Sequence, residues 1–186
     1  MTAEKDALNM VAGLMILAAR TAPKARGQDT LLYKVLTARE IEAISDWLAK
    51  EGKKRDLAFF IRDSKNFADT EACVLIGVKG DVPVGINCGA CGFKSCAEYS
   101  KDYEVRKNPS TDYQGPNCAV RMTDLGIAAG SAVKTAQIHN IDNRLMFTGG
   151  VAALDLGFLG RECTVAYAIP LSATGKNIFF DRESKK

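Results

Sequence analysis

Four cysteines constrain this chain more than any other feature. Three of them fall within nine residues, Cys88-Gly-Ala-Cys91-Gly-Phe-Lys-Ser-Cys96, and the fourth, Cys118, follows after a spacer of 21 residues. Two residues between the first pair let a tight turn aim both sulfurs to one side. Gly89 and Gly92 allow that turn, because glycine enters backbone conformations closed to other residues. They also leave N–H groups free to point at sulfur. Four further residues bring Cys96 round at the start of a short helix over 97–102. Cys118 returns on the turn Gly115-Pro116-Asn117.

That spacing suits four thiolates converging on one [4Fe–4S] cubane. Zinc is the competing metal. Zinc sites also use four cysteines, but usually as two C-x-x-C knuckles, and here a single C-x-x-C exists. Four unligated cysteines are the third reading, and the glycines packed around three of them argue against it. The surrounding stretch 85–118 differs in composition from its flanks. It holds four of the six cysteines, many Asn, Ser and Thr residues, and Pro109 and Pro116. It reads as a loop-rich inserted module, with 1–84 and 119–186 forming the scaffold.

The chain has 186 residues, a hydrophobic fraction of 47% and a net charge of +3. Such a core is ordinary for a globular domain, and the weak basic bias, with no basic run among aromatics, predicts no nucleic-acid partner. The longest apolar stretch, 10–19, is far short of the roughly 20 residues that span a bilayer. Glu4 and Asp6 stand where a signal peptide would be positive. No membrane association and a cytoplasmic location are expected. Six cysteines in that compartment point to metal or redox roles rather than disulfides.

The scaffold reads as α+β. Residues 1–20 form a helix with Leu8, Val11, Met15 and Ala18 on one face and Leu14 broadening it. Met10, Ile16 and Leu17 extend the apolar surface, which predicts burial on more than one side. A loop follows at 21–29, then a strand at 31–36. Thr37 and Glu40 form a capping box for a helix that buries Ile41, Ile44 and Leu48 and ends at Gly52. A helix over 56–66 and a strand over 71–79 come next. Residues 124–140 form an Ala-rich helix that invites close approach by another helix. A helix over 148–158 and a strand over 164–169 stopped by Pro170 follow, and 177–180 can add a last strand, to this sheet or onto another subunit.

Segment 87–118 resembles the small 4Fe–4S domain with the pattern C-x2-C-x4-C-x(16–21)-C, here C-x2-C-x4-C-x21-C. That domain occurs in subunits of anaerobic electron-transport complexes and in corrinoid iron–sulfur proteins. The resemblance implies that Cys88, Cys91, Cys96 and Cys118 are the ligands. The remainder resembles the nitroreductase-like flavoproteins in three stretches. Leu17-Ala-Ala-Arg-Thr-Ala-Pro-Lys-Ala25 looks like the helix end and loop they place near FMN. Residues 124–157 resemble their central helix pair, and 165–170 their strand ending in proline. The likeness implies an antiparallel or mixed sheet with helices, a homodimer and an FMN site contacted by Arg20, Lys24, Arg26 and Lys176 or Arg182. Each of those cations, taken singly, also reads as a solvated surface charge. Two departures stand out. No arginine precedes Arg20, where that family carries an Arg-rich phosphate-binding segment, and Arg26-Gly27-Gln28-Asp29 replaces its usual Asn-x-Gln-Pro-Trp. The whole chain also resembles a family of uncharacterised proteins described as containing a ferredoxin domain.

Electron transfer through a [4Fe–4S] cluster is therefore the expected function, with a redox partner protein implied. An FMN-dependent reductase with the cluster as relay, and a zinc-stapled interaction module, are the alternatives. Cys73 and Cys163 sit in apolar contexts and read as structural thiols. His139, the one histidine, lies at a helix end, so acid–base or triad schemes built on histidine lack support. Gly149-Gly150 permits a tight turn or offers N–H groups to an anion. Phe93 and Tyr99 are expected to shield the cluster.

Overall fold

The computed structural model describes residues 3–102 and 111–180. Pro109 and Arg182 lie outside them. The element order is α1 (Ala3–Thr21), β1 (Leu31–Val35), α2 (Ala38–Lys54), α3 (Ala58–Ala68), β2 (Ala72–Val78), α4 (Cys96–Asp102), α5 (Ala119–Ile138), β3 (Asp142–Asn143), α6 (Phe147–Asp155) and β4 (Val165–Ser172). The strands pair antiparallel in the order β1-β2-β4-β3. This is the α+β architecture the sequence predicts.

Alternation along the two central strands sends side chains to both faces, and helices cover each face. Val74 and Ile76 of β2 and Ile169 of β4 pack with α1 and α5. Cys73 and Leu75 of β2 and Ala166 and Ala168 of β4 pack with α2, α3 and α6. Every residue of β2 is buried, which is why it reads as a continuous apolar run.

α1 buries a single stripe of Leu8, Val11, Ala12, Met15 and Ala19. Met10 is 70% exposed, Leu17 58% and Leu14 39%, so the expected burial on more than one side is not observed. The small residues of α5 do admit another helix, since Ala128, Ala129 and Ala132 share one core with α1.

The capping box forms as expected. The Thr37 hydroxyl accepts from the Glu40 N–H at 3.4 Å, and Glu40 Oε2 accepts from the Thr37 N–H at 2.9 Å. Thr37→Ala is expected to cost about 1 kcal/mol in chemical unfolding. A change within experimental error would show that α2 does not depend on its cap.

Four expectations fail for tertiary reasons. α2 runs through Gly52 to Lys54, and a Cβ there would stand 2.8 Å from Ile61 Cγ1, so Gly52 lets α3 approach. Gly149 and Gly150 make neither a turn nor an anion site. Both lie inside α6, where a Cβ on Gly150 would stand 1.8 Å from the Ala166 carbonyl oxygen. β4 continues through Pro170 to Ser172. The Ala168 N–H donates to the Met146 carbonyl, so Pro170, two residues on, turns its missing donor to that same edge, where pairing lapses between Asn143 and Met146. Residues 177–180 form a turn rather than a strand of this sheet, with Phe179 buried against α2 and α6. Among the described residues, no helix is long and apolar enough to cross a membrane.

Candidate functional site

Gly80, just past the end of β2, is where the two cysteine-bearing segments meet. Its carbonyl oxygen accepts from the Cys118 N–H at 2.8 Å and lies 3.0 Å from the Tyr99 hydroxyl. That hydroxyl also lies 2.7 Å from the Pro116 carbonyl. The Gly80 N–H donates to Thr164 Oγ1 at 2.9 Å, and Thr164 donates to Asn117 Oδ1 at 2.6 Å. A Cβ on Gly80 would stand 2.2 Å from that Asn117 oxygen and 2.6 Å from Thr164 Oγ1, so a larger residue would have to push this hydrogen-bonded pair aside. One glycine thus ties the turn before Cys118 to the end of β2 and to α4.

α4 begins on Cys96. The Ser95 hydroxyl accepts from the Glu98 N–H at 3.1 Å, and Glu98 Oε2 accepts from the Lys94 N–H at 2.8 Å, which satisfies donors at the helix start. Asn87 Oδ1 accepts from the Cys96 N–H at 2.8 Å. The Cys96 sulfur in turn receives backbone N–H groups from Asn87 and, more weakly, from Gly85 and Ile86. They hold its thiol below the ordinary cysteine range against a smaller effect of desolvation. Gly89 and Gly92 adopt the left-handed φ values of 74° and 86° that the tight turn requires, closed by the Gly92 N–H on the Gly89 carbonyl at 2.9 Å. Phe93 and Tyr99 meet edge to face, 5.4 Å between ring centres, and both are buried beneath the loop.

Cys88 is exposed, Cys91 and Cys96 are half-buried, and Cys118 is buried. All six thiols are free. Among the described residues, no three His, Cys, Asp or Glu side chains are gathered closely enough to hold a single ion. The structure brings the segments of the four cysteines together without crowding their sulfurs about one point. Cys73 and Cys163 are buried, and burial raises both thiols, Cys163 to about 12, so both are inert structural groups. His139 caps the end of α5 and is exposed.

Behind this region lies a polar network that sequence reasoning missed. Arg121 is wholly buried, one turn into α5 from Cys118. Its guanidinium donates to the Val82 carbonyl at 3.1 Å, to the Gln28 carbonyl at 3.1 Å and to Gln28 Oε1 at 2.9 Å. It pairs with Asp124 at 3.2 Å, and Asp124 accepts from the Ala25 N–H at 2.8 Å. The available signal was an arginine and an aspartate three residues apart on the buried face of a small-residue helix. Placing the helix start at Asp124 rather than Ala119 hid it.

Three candidate flavin contacts lie close in sequence, Arg20 in the last turn of α1 and Lys24 and Arg26 on the loop that follows. Arg20 pairs with Asp29 at 2.8 Å and lies over the Tyr33 ring. Lys24 spends its three donors on the carbonyls of Ala19, Arg20 and Ala22 at 2.6, 2.6 and 2.9 Å, closing the end of α1. Arg26 reaches the Val84 carbonyl at 3.4 Å. Lys176 is exposed in the turn after β4, where its carbonyl accepts from the Thr174 hydroxyl. A separate cleft of about 840 Å³, of ligand-binding size, opens between α2, α6 and segments 111–114 and 160–164. Trp47 walls it, with its indole N–H fixed by Asp155 at 2.6 Å, and Thr164 connects it to Asn117 beside Cys118.

A family model described as an uncharacterized protein containing a ferredoxin domain matches residues 114–182, which include Cys118. An uncharacterised protein of Archaeoglobus fulgidus is 43% identical over 185 residues, 98% of this chain and 96% of its own length. Among solved structures, a BluB-like flavoprotein from Clostridium difficile 630 is similar, with a TM-score of 0.54 and 16% identity, over 95% of this chain and 84% of that one. An NADPH:FMN oxidoreductase from Vibrio harveyi, complexed with NAD+, has a TM-score of 0.54 at 10% identity, over 95% of this chain and 62% of its own. Nitroreductase A from Vibrio parahaemolyticus also scores 0.54, at 12% identity, over 90% of this chain and 59% of its own. At these identities the likeness is one of fold, and the scaffold is nitroreductase-like.

Proposed function

This chain belongs to the family of uncharacterised proteins containing a ferredoxin domain, and from that footing we propose that it is an iron–sulfur redox protein holding one [4Fe–4S] cluster on Cys88, Cys91, Cys96 and Cys118. The observation that carries the reading is the Gly80 carbonyl, which binds both the Cys118 backbone and Tyr99 of the helix that Cys96 begins. Two segments far apart in sequence are thereby held at one atom. When bound, such a cluster supplies one-electron oxidation and reduction.

The chain's own residues supply the rest. Four thiols offer soft donors suited to iron–sulfur or zinc. Zinc sites usually pair two C-x-x-C knuckles, whereas this chain has one C-x-x-C with Cys96 and the distant Cys118, a spacing closer to iron–sulfur domains. The amides at 85–87 support negative charge on Cys96, and Phe93 and Tyr99 exclude water from beneath the loop. Residues 85–118 act as the cluster-bearing insert, and 1–84 with 119–186 as its scaffold. A homodimer, as the nitroreductase-like fold suggests, is part of this reading, with exposed Met10 and Leu17 of α1 and Ile138 of α5 as apolar positions open to a second copy. Free thiols suit a reducing, cytoplasmic setting.

A second reading, favoured by the flavoprotein fold, is an FMN-dependent reductase in which the cluster relays electrons. Arg20, Lys24, Arg26 and Lys176 are then the phosphate and ring contacts.

Anaerobic purification with iron, sulfide, zinc and flavin assays tests these readings together. The expected result is about four irons per chain and a broad absorption around 400 nm that bleaches on reduction. A yellow chromophore released on denaturation would establish the flavin reading as well. Stoichiometric zinc in colourless, iron-free protein would leave the zinc-stapled module standing instead.

A further inference from the structure

The cleft between α2 and α6 holds none of the four cysteines and none of the candidate flavin contacts. Its volume of about 840 Å³ falls within the range of small-molecule sites. Its aromatic wall is Trp47, the one tryptophan of the chain. Two contacts fix that ring. Asp155 of α6 accepts its indole N–H at 2.6 Å, and the buried Phe60 of α3 lies 6.1 Å away between ring centres. An aromatic side chain already held in place gives up little freedom on binding, and it suits a flat ring laid against it.

A second wall is held as firmly. Segment 111–114 is docked by the Tyr113 hydroxyl on the Ala166 carbonyl and by Asp112 on Arg55 at 2.7 Å. Cys163 and Val151 add buried apolar surface, and Thr164 is engaged with Asn117 at 2.6 Å.

Most of the polar groups in the cleft satisfy one another. Three basic and three acidic side chains line it. Glu51 pairs with Lys54 at 3.1 Å, Asp112 with Arg55, and Asp155 holds Trp47. Among the described residues, Arg161 has no ion-pair partner and the Gln114 carboxamide no hydrogen bond. A guanidinium suits a carboxylate or phosphate, and a carboxamide both donates to and accepts from the edge of a ring. A lining of zero net charge does not favour a polyanion. One unpaired cation matches one anionic group.

We propose that this cleft binds a planar aromatic molecule bearing a single anionic group, with its ring stacked on Trp47 and its anion on Arg161. A nucleoside monophosphate and an aromatic carboxylate share that chemistry. The inference goes beyond the iron–sulfur reading and does not depend on it.

Titration of the full-length protein tests this, followed by Trp47 fluorescence and by calorimetry, with iron measured on every preparation. The probes are adenosine monophosphate, adenosine and benzoate. The expected result is saturable quenching by adenosine monophosphate, with affinity about tenfold lower in Arg161→Gln, the loss of one charge-assisted pair. Adenosine lacks the phosphate, so it should bind the wild type about as weakly as the monophosphate binds the variant. The variant should then not distinguish the two. Arg161 is exposed, so Arg161→Gln should melt with the wild type, and Arg161→Lys should recover part of the affinity. Benzoate binding that requires Arg161, without binding of the monophosphate, also supports the proposal and names a carboxylate as the anion. Equal affinity of wild type and Arg161→Gln for whichever anion binds overturns it. So does calorimetric binding that leaves Trp47 fluorescence unmoved, and so does the absence of saturable binding by both anions. Each outcome reads the same in iron-loaded and iron-free protein, so a failure of the cluster reading is seen separately, in the iron assay.

Discussion

Cys91→Ser is expected to strip the protein of its iron and to lower its melting temperature together. Serine keeps the shape of the side chain, and the turn around it is set by Gly89 and Gly92, so the loop itself has little reason to change. A hydroxyl is a hard, weakly acidic donor and a poor substitute for thiolate on iron. Ligand binding to the folded state contributes directly to its stability, and a coordinated centre is formed only when the chain is folded. A loss of about 3 kcal/mol would lower the midpoint by roughly 6–12 °C in a chain of this size. Cys91 is only half-buried, so packing alone accounts for a small part of any such change. Apo wild-type protein should therefore melt with the variant, and holo wild-type well above both. Retained iron and an unmoved midpoint in Cys91→Ser would remove this residue from the ligand set.

The second large effect belongs to the scaffold. Gly150→Ala is expected to cost about 3 kcal/mol or more, enough to show as loss of soluble folded protein at growth temperature. The new Cβ would stand 1.8 Å from the Ala166 carbonyl oxygen, 2.4 Å from its carbonyl carbon and 3.0 Å from Tyr167 Cα. All three are backbone atoms of β4, held by β2 along residues 165–171 and by the Met146 bridge at Ala168, so the strand resists moving aside. α6 would have to lift from the sheet, exposing Ala152 and Ala153. Gly149→Ala meets mainly the tip of the Phe67 ring, at 2.4 Å, together with Ala168 Cβ at 2.7 Å. These neighbours are side-chain rather than backbone atoms, so this substitution should cost less. Equal unfolding midpoints for wild type and Gly150→Ala would show that α6 does not seat on β4 as closely as described.

These positions also mark how far the residues could be read without their partners. The capping box at Thr37 and Glu40, the stripe of Ile41, Ile44 and Leu48 and the apolar run of β2 were all legible. Each depends on a period or a bond reaching no more than four residues along the chain. The cysteine pattern was legible for the same reason: the turn at Gly89 and Gly92 is a local conformational requirement. The length of α1 was legible too, though not the side it leaves bare. Met10 and Leu17 are as apolar as the residues beneath them, and only the arrangement of the other elements leaves them outside.

By itself, the sequence determined the α+β class, most of the helices and strands, and the tight glycine turn that carries Cys88 and Cys91. Tertiary structure alone decided that Gly52 and Gly150 are contact points rather than breaks, that Pro170 is tolerated in a strand, and that Arg121 is buried. It also decided that Cys118 is tied through Gly80 to the helix beginning at Cys96. The physical reason is common to all of these. Covalent geometry and hydrogen bonds to near neighbours are written in residue order. What stands opposite a missing Cβ, an absent N–H or a carbonyl oxygen depends on chain that arrives from tens of residues away.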